Sequence, residues 1–350
     1  MEPLMRGIFN MAFDLARRLA LPRDPGAFRL FLAMLVFVHH FSSLDWGPYA
    51  VYVFFVLSGF WVQTMWVERY ARTQSPYLTY MASRVWRLAP VMVLVSLIAL
   101  ALLPVIGIPA DVVFSSEPLH LAFSSVFLLG YAWLPYTPVG SAWSLDVEMQ
   151  YYLLAPLFAW LAMRTRGWWL LVPAAAISAA AGLLMQHYVV VKYLFFFFAG
   201  LLAARNDWRP GTGLATASAA SVVLAVVGIL VSPWRDVLVG GTNPGPLHVH
   251  APLFNLILGV LTIPFALYTV HRESDETDRM LADLSYIVYL LHWVAMQWFF
   301  QFAGYPFTIR LAVAATSFAV VPMMSWLIWR YYEKPINRLR ARWVAGRIRR

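Results

Sequence analysis

The chain has 350 residues, 61% of them hydrophobic and only 12% charged. Soluble globular domains run at roughly 45–50% apolar and about 25% charged, so this composition excludes an ordinary water-soluble enzyme and, equally, a disordered chain. Lysine and arginine number 26 against 17 acidic residues, a net charge of +9, and cysteine is absent, which removes disulfide scaffolds, thiolate zinc sites and cysteine nucleophiles.

In residues 1–26, Met5, Ile8, Phe9, Ala12, Phe13, Ala16 and Leu19 recur at helical spacing, with Arg6, Asp14, Arg17 and Arg18 off that stripe. This pattern predicts a cytoplasmic interfacial segment or a short helix packed on the bundle, and not a cleavable signal. Apolar runs long enough to be membrane spans follow at 27–45, 48–68, 88–108, 143–163, 168–186, 189–204, 213–232, 250–271, 283–302 and 308–330. An eleventh run, 119–136, is ambiguous, and the distribution of arginine and lysine decides it. With ten spans and a cytoplasmic N-terminus, 22 of the 26 basic residues fall in cytoplasmic segments, Arg29 sits just inside the first span at the same side, and only Lys192, Arg235 and Arg310 fall outside. Counting 119–136 as a full span would put every later basic cluster outside, so it reads as a re-entrant or interfacial hairpin. The expected fold is therefore all-α: a polytopic bundle of about ten transmembrane helices over 27–330, a basic cytoplasmic tail over 331–350, and both termini cytoplasmic. The positive charge is mostly topology, with anionic lipid attraction at the tail, and it does not point to nucleic acid. Residues 233–249, rich in glycine and proline, read as an outer loop.

Ionisable groups within spans are expensive, so each is a functional candidate. Arg29 and His40 lie 11 residues apart in the first span, on one helix face, separated by roughly 16 Å along the axis. A guanidinium anchors phosphate and a buried imidazole moves a proton, so this face suits an elongated anionic donor whose reactive end enters the membrane. The bland alternative is a satisfied core histidine with an arginine snorkelling to lipid. Ser58-Gly59 in the second span permits close helix packing, and no Gly-x-Ser-x-Gly elbow surrounds Ser58. Arg84 and Arg87, three apart ahead of the third span, serve either topology or a phosphate clamp. The run Trp143-Ser144-Leu145-Asp146-Val147-Glu148 places two carboxylates close to the hydrocarbon. Glu148, the deeper by roughly 3 Å, needs a partner and is either an acid–base group or a structural polar link. Ser285, Tyr289 and His292 share one face of the ninth span, as cavity lining or as a packing cluster. His248 and His250, with no carboxylate beside them in sequence, make a weak metal site.

Taken together, these motifs resemble the acyltransferase 3 family of integral membrane acyltransferases, over nearly the whole length from Phe28 to about Asn337. The resemblance rests on arginine–ten residues–histidine (Arg29, His40), Phe-Phe-x-x-Ser-Gly (Phe54, Phe55, Ser58, Gly59), Arg-x-x-Arg (Arg84, Arg87) and Trp-Ser-Leu-x-x-Glu (Trp143 to Glu148). Ser-Tyr-x-x-Tyr-x-x-His (Ser285, Tyr286, Tyr289, His292) and a Phe-x-x-Gly turn at Phe197–Gly200 complete it. Each motif is weak alone; their order on one chain is specific. The resemblance implies transfer of an acyl group, most often acetyl, from cytoplasmic acyl-CoA to a hydroxyl of a glycan, a lipid-linked sugar or an antibiotic. It also implies a bacterial cytoplasmic membrane and the stand-alone form without a fused esterase-like domain. In the mechanism expected from it, His40 and Glu148 are the catalytic pair, either by direct transfer or through an acyl-His40 relay. Arg29, Arg84 and Arg87 hold acyl-CoA, Ser58, Trp143, Tyr289 and His292 line the substrate site, and no metal is expected. Two rival readings stand beside it. A transporter of a glycan precursor or small anion predicts flux without CoA dependence. A lipid acyltransferase of another membrane family predicts use of long-chain donors.

Overall fold

The computed structural model describes residue 18 and residues 22–113, 115, 117–165, 167–241 and 243–349. Most of the expected N-terminal interfacial segment, residues 1–17 and 19–21, lies outside the described residues. Regular structure among the described residues is helical, with two isolated bridges, Leu44 with Val239 and Thr73 with Ile348. The helices are α1 (Pro25–Phe41), α2 (Gly47–Glu68), α3 (Pro76–Leu102), α4 (Pro118–Phe127), α5 (Trp143–Arg164), α6 (Leu171–Leu184), α7 (Leu194–Arg205), α8 (Thr212–Val231), α9 (Ala251–Thr269), α10 (Glu276–Phe300), α11 (Phe307–Ile328) and α12 (Lys334–Ala345).

Every apolar run read as a span overlaps a helix. Among the described residues, five helical stretches are long and apolar enough to cross a membrane: Gly47–Arg72, Pro76–Leu102, Thr212–Val231, Pro246–Thr269 and Phe307–Ala345. α1 and α6 are apolar but shorter. α5 and α10 have the length but carry carboxylates, Asp146 and Glu148 in one, Glu276, Asp278 and Asp283 in the other. The third helix starts at Pro76, well ahead of the apolar run at 88, because proline at the first helical position is preorganised for the turn while hydropathy rises only later. Arg84 and Arg87 are thus inside a helix and not on a loop. Residues 118–127 give ten residues of helix, about 15 Å, half of the roughly 30 Å hydrocarbon thickness. That helix ends in left-handed Leu128 and Gly130 (φ 55° and 72°), and one-turn 3-10 segments follow at Tyr131–Trp133 and Gly140–Ala142.

The chain divides into two compact units: Met1–Ala50 with Arg209–Val288, and Val51–Trp208 with Tyr289–Arg350. In the first unit, side chains from later helices cap earlier ones. Asp278, fully buried near the start of α10, accepts hydrogen bonds from the amides of Gly26 (3.0 Å) and Ala27 (2.9 Å), two of the donors a helix N-terminus leaves over. The approach is so close that a Cβ on Gly26 would strike the Asp278 carbonyl. Asn255 of α9, also fully buried, accepts from the amide of Tyr49 (3.0 Å) and donates to the carbonyls of Asp45 (2.8 Å) and Ala251 (2.9 Å), fixing the entry into α2. Residues 233–249, expected as loop, dock on the α1–α2 turn: Gly240 N–H donates to the Ser43 carbonyl (2.7 Å) and Asp45 N–H to that of Leu238 (2.8 Å).

In the second unit, α2 and α7 cross through two glycines. A Cβ on Gly59 would meet the Phe197 carbonyl, and one on Gly200 would meet the Val56 carbonyl. Phe55 stacks on Phe197 beside this crossing, ring centroids 4.6 Å apart. A π-helical turn, Trp329–Glu333, joins α11 to α12, so residues 334–345 of the basic tail form a helix.

Candidate active site

α1 carries Arg29 and His40 on one face, both half-buried. His40 Nδ1 lies 2.9 Å from the Val36 carbonyl of its own helix. A carbonyl only accepts, so Nδ1 carries the proton and the lone pair sits on Nε2. His39 is committed elsewhere: its Nδ1 donates to the Leu44 carbonyl (2.9 Å) and lies 3.7 Å from Asp45 Oδ1, and its ring fills the space a Cβ on Gly47 would need. The two adjacent histidines are thus distinguished by geometry. His39 braces the turn, while His40 is oriented within its helix with its basic nitrogen defined. His248 Nε2 lies 3.4 Å from Asp45 Oδ2, which joins it to the same turn. Among the described residues no group of three His, Asp or Glu is arranged to hold a metal ion.

The second unit holds the other polar candidates. Glu148 of α5 accepts hydrogen bonds from Ser58 of α2 and from Tyr152, one turn further along α5. Both fall on Oε1, leaving the acceptor capacity of Oε2. The Ser58-Gly59 pair therefore splits its work: the glycine admits α7 and the serine holds the carboxylate. Arg84 of α3, 3% exposed, lies among Tyr70, Tyr80 and Tyr152, with its guanidinium carbon 5.7, 5.3 and 5.2 Å from the ring centroids. Cation–π attraction partly offsets its desolvation. Its hydrogen bonding is thin. Nη2 reaches only the Met65 sulfur at 3.4 Å, and buried Nε has no acceptor. Glu148 acts on Arg84 through space, and Arg84 and Arg87 both act on Tyr152, so carboxylate, phenol and guanidinium form one electrostatic group. Arg87, one turn after Arg84, is half-buried.

Tyr289 is tied to the α5 entry: its hydroxyl donates to the Ser141 carbonyl (3.0 Å) and shares a hydrogen bond with Ser144 Oγ (2.7 Å), while Ser141 Oγ donates to its carbonyl (3.1 Å). His292, fully buried, has its ring 5.8 Å from that of Tyr289. Ser285 bonds back to Ala282 of its own helix (2.7 Å). Trp143 stacks on Tyr188 at 4.3 Å. Asp146 is fully buried. It accepts from the amide of Ala132 (3.0 Å) and from Gln150 Nε2 (3.0 Å), and Gln150 in turn accepts from the Val190 amide (2.9 Å). It pins the irregular segment after α4.

Four residues that matter here carried little signal. For Tyr152 the one available signal was its position four residues after Glu148. Tyr70 and Tyr80 are ordinary aromatics in an aromatic-rich chain. Asp278 sits in a charged stretch that reads as surface.

A family model described as an acyltransferase domain matches residues 24–332, from the residue before α1 to the turn before α12. No curated protein and no solved structure matches the chain. A match across nearly all of the membrane-embedded helices, carrying the oriented His40 and the Ser58–Glu148–Tyr152 and Arg84 cluster in its span, places this chain in the acyltransferase 3 family of integral membrane acyltransferases.

Proposed function

We propose that this protein moves an acyl group, in the simplest case acetyl, from cytoplasmic acyl-CoA to a hydroxyl of a glycan or lipid-linked sugar. The proposal includes ten spans, both termini in the cytoplasm, and a bacterial cytoplasmic membrane as the site of action. The observation that carries it is on α1: a base with its lone pair fixed on Nε2 stands three turns from a guanidinium on the same face. Arg29 then anchors phosphate at one end of the helix and His40 works at the other. His40 Nε2 takes the proton of the acceptor hydroxyl as its oxygen attacks the thioester carbonyl. The tetrahedral intermediate expels the CoA thiolate, which recovers that proton from the imidazolium. Glu148 is the second acid–base group, its carboxylate held by Ser58 and Tyr152. Arg87 binds donor phosphate, and Arg84, enclosed by tyrosines, positions Tyr152 and Glu148 as well as adding positive charge. Ser58, Trp143, Tyr289 and His292 belong to the substrate region in this reading.

General base catalysis contributes about 10²–10⁴-fold, so His40→Ala in membrane-inserted protein should lower acyl transfer at least about a hundredfold with acetyl-CoA affinity retained. Glu148→Gln keeps the shape of the Ser58 and Tyr152 contacts and should lower turnover about tenfold or more. Undiminished transfer by the His40 variant would overturn the assignment.

A further inference from the structure

The C-terminal helix does more than continue α11. Glu333, Asn337, Arg340, Val344 and Arg347 follow at spacings of four and three, a single stripe, and this stripe runs back along Thr79, Ser83, Trp86 and Pro90 of α3. Arg347 Nε donates to Thr79 Oγ1 at 3.0 Å, Arg340 Nη1 reaches the Ser83 carbonyl at 3.5 Å, and the rings of Trp343 and Trp86 lie 5.8 Å apart. Tyr332 OH donates to the Pro90 carbonyl at 3.3 Å. Main-chain bonds close the far end: Gln74 N–H to the Arg347 carbonyl and Arg349 N–H to that of Arg72, both 3.0 Å. Val344 is 1% exposed, so the seam is packed and not a tail lying loosely on a surface.

Such packing concentrates charge of one sign. Arg340 and Arg347 join Arg69, Arg72, Arg84 and Arg87 along this seam, and Arg69, Arg84 and Arg340 all act on the Tyr70 hydroxyl. Among the described residues, Arg69, Arg72, Arg84, Arg87 and Arg347 make no ion pair. Glu68 likewise pairs with none of them. Arg84 Nε and the Tyr80 hydroxyl are buried without hydrogen-bond partners beside the seam. Cations gathered along one packed seam repel one another wherever they stand within the screening length of about 8 Å at physiological salt, and such a cluster favours a multivalent anion.

We infer that α12 is the second wall of a phosphate site, with Arg340 and Arg347 acting alongside Arg69, Arg72 and Arg87 on a ligand carrying more than one phosphate charge. This rests on the acyl-CoA reading for the ligand's identity, the nucleotide phosphates of the donor, but the seam itself is defined by the packing. Phosphate of an anionic lipid headgroup has the same chemistry and is the other source.

The test is equilibrium binding of CoA to the full-length protein in uncharged detergent. Wild type is compared with Arg340→Gln, Arg347→Gln and Arg72→Gln, and with Arg338→Gln and Arg342→Gln, which lie off the packed stripe. Loss of a charge-assisted phosphate contact should raise Kd about tenfold for the first three and leave the last two within about twofold. Arg340→Lys, keeping the charge, should recover most of the affinity, which a merely structural role for that arginine would not require. Arg72 is exposed, so its variant reads the site even if Arg340→Gln fails to fold. CoA binding that is equal in all variants overturns the inference and leaves the acyl-CoA reading intact. Wild type that binds no CoA overturns that reading instead, and the seam is then judged with inorganic pyrophosphate and with phosphatidylglycerol-containing vesicles. Binding of either probe that is lost in the Arg72 and Arg340 variants keeps the phosphate site, and binding of neither ends it.

Discussion

Each unit holds a buried polar cluster, and the two clusters are treated in opposite ways. In the first, Asp278 and Asn255 are fully buried and are met by helix N–H groups, carbonyls and side chains: Asp278 takes the Gly26 and Ala27 amides and the Ser274 hydroxyl (2.6 Å), and Asn255 bonds through both ends of its amide. In the second, Arg84 is nearly as buried, yet its Nε has no acceptor, and the hydroxyl of Tyr80, whose ring it faces, is also without a partner. Burial without a hydrogen bond is costly, so the two patterns have different uses. Saturated groups fix the start of α1 and α2, and so place His40 and Ser58. Unsaturated ones keep bonding capacity, which the proposed function assigns to substrate. The lesson is that in a membrane protein a polar residue's burial says less about its role than whether the protein itself exhausts its hydrogen bonds.

The sharpest way to break this comparison is to remove the most saturated group. Asp278→Ala leaves two buried helix amides and a hydroxyl without an acceptor. Hydrogen bonds to a charged group contribute about 1.5–3 kcal/mol each, so the variant should lose about 3 kcal/mol of stability, read as a lower unfolding midpoint in detergent. Arg84→Met, by contrast, should leave that midpoint within about 1 kcal/mol, because it deletes an under-bonded buried cation and keeps an apolar stem. If the two variants destabilise equally, the distinction between positioning and binding groups fails.

The next effect concerns shape. Gly59 and Gly200 face backbone carbonyls across the α2–α7 crossing, and a carbonyl of a packed helix cannot swing aside as a flexible side chain would. Gly59→Val should therefore cost about 2 kcal/mol by overpacking and should also weaken acyl transfer, since Ser58 beside it would be drawn away from Glu148. Ser58→Ala isolates the second consequence: activity falls, and stability falls only by the lost hydrogen bond to Glu148, about 1.5 kcal/mol, without the overpacking.

What the sequence made legible follows the same division. Helix positions were readable because twenty apolar residues have few alternatives in a bilayer, and the short 118–127 helix was marked by the distribution of arginine. Arg29, His40, Ser58, Arg84 and Glu148 stood out because charge and polarity are rare inside spans. Their partners were not legible. Nothing local links Ser58 to Glu148, 90 positions away, or Gly26 to Asp278, 252 positions away. Asp278 in particular lies in Glu-Thr-Asp-Arg, a run that reads as solvated surface until tertiary structure buries it. The start of α3 was misplaced for a related reason. Thr79 and Ser83, polar by composition, are covered by the seam with α12, which only the folded chain reveals.

The smallest predicted effect tests whether the saturated unit's hydrogen bonds or its charges do the holding. Asp275, just ahead of α10, caps that helix: its Oδ1 accepts the Asp278 amide at 2.7 Å, and Arg18 lies 2.7 Å from its other oxygen. The amide hydrogen bond first, and Arg18 second, hold the Asp275 carboxyl below its ordinary value of 3.8. A carboxylate whose folded pKa is depressed contributes stability that is present above the unfolded value and is lost as pH falls through the folded one. The loss should therefore set in below about pH 4. The side chain is 52% exposed, so solvent screening limits the contribution to below about 0.5 kcal/mol. Asp275→Asn keeps an acceptor for the Asp278 amide and removes the titrating charge. Its unfolding midpoint at pH 7 should match wild type within that margin, while the decline below pH 4 becomes shallower. A larger drop at pH 7 would mean that the Arg18 pair, and not the cap, secures the start of α10, and that charge as well as hydrogen bonding positions Asp278 beneath α1.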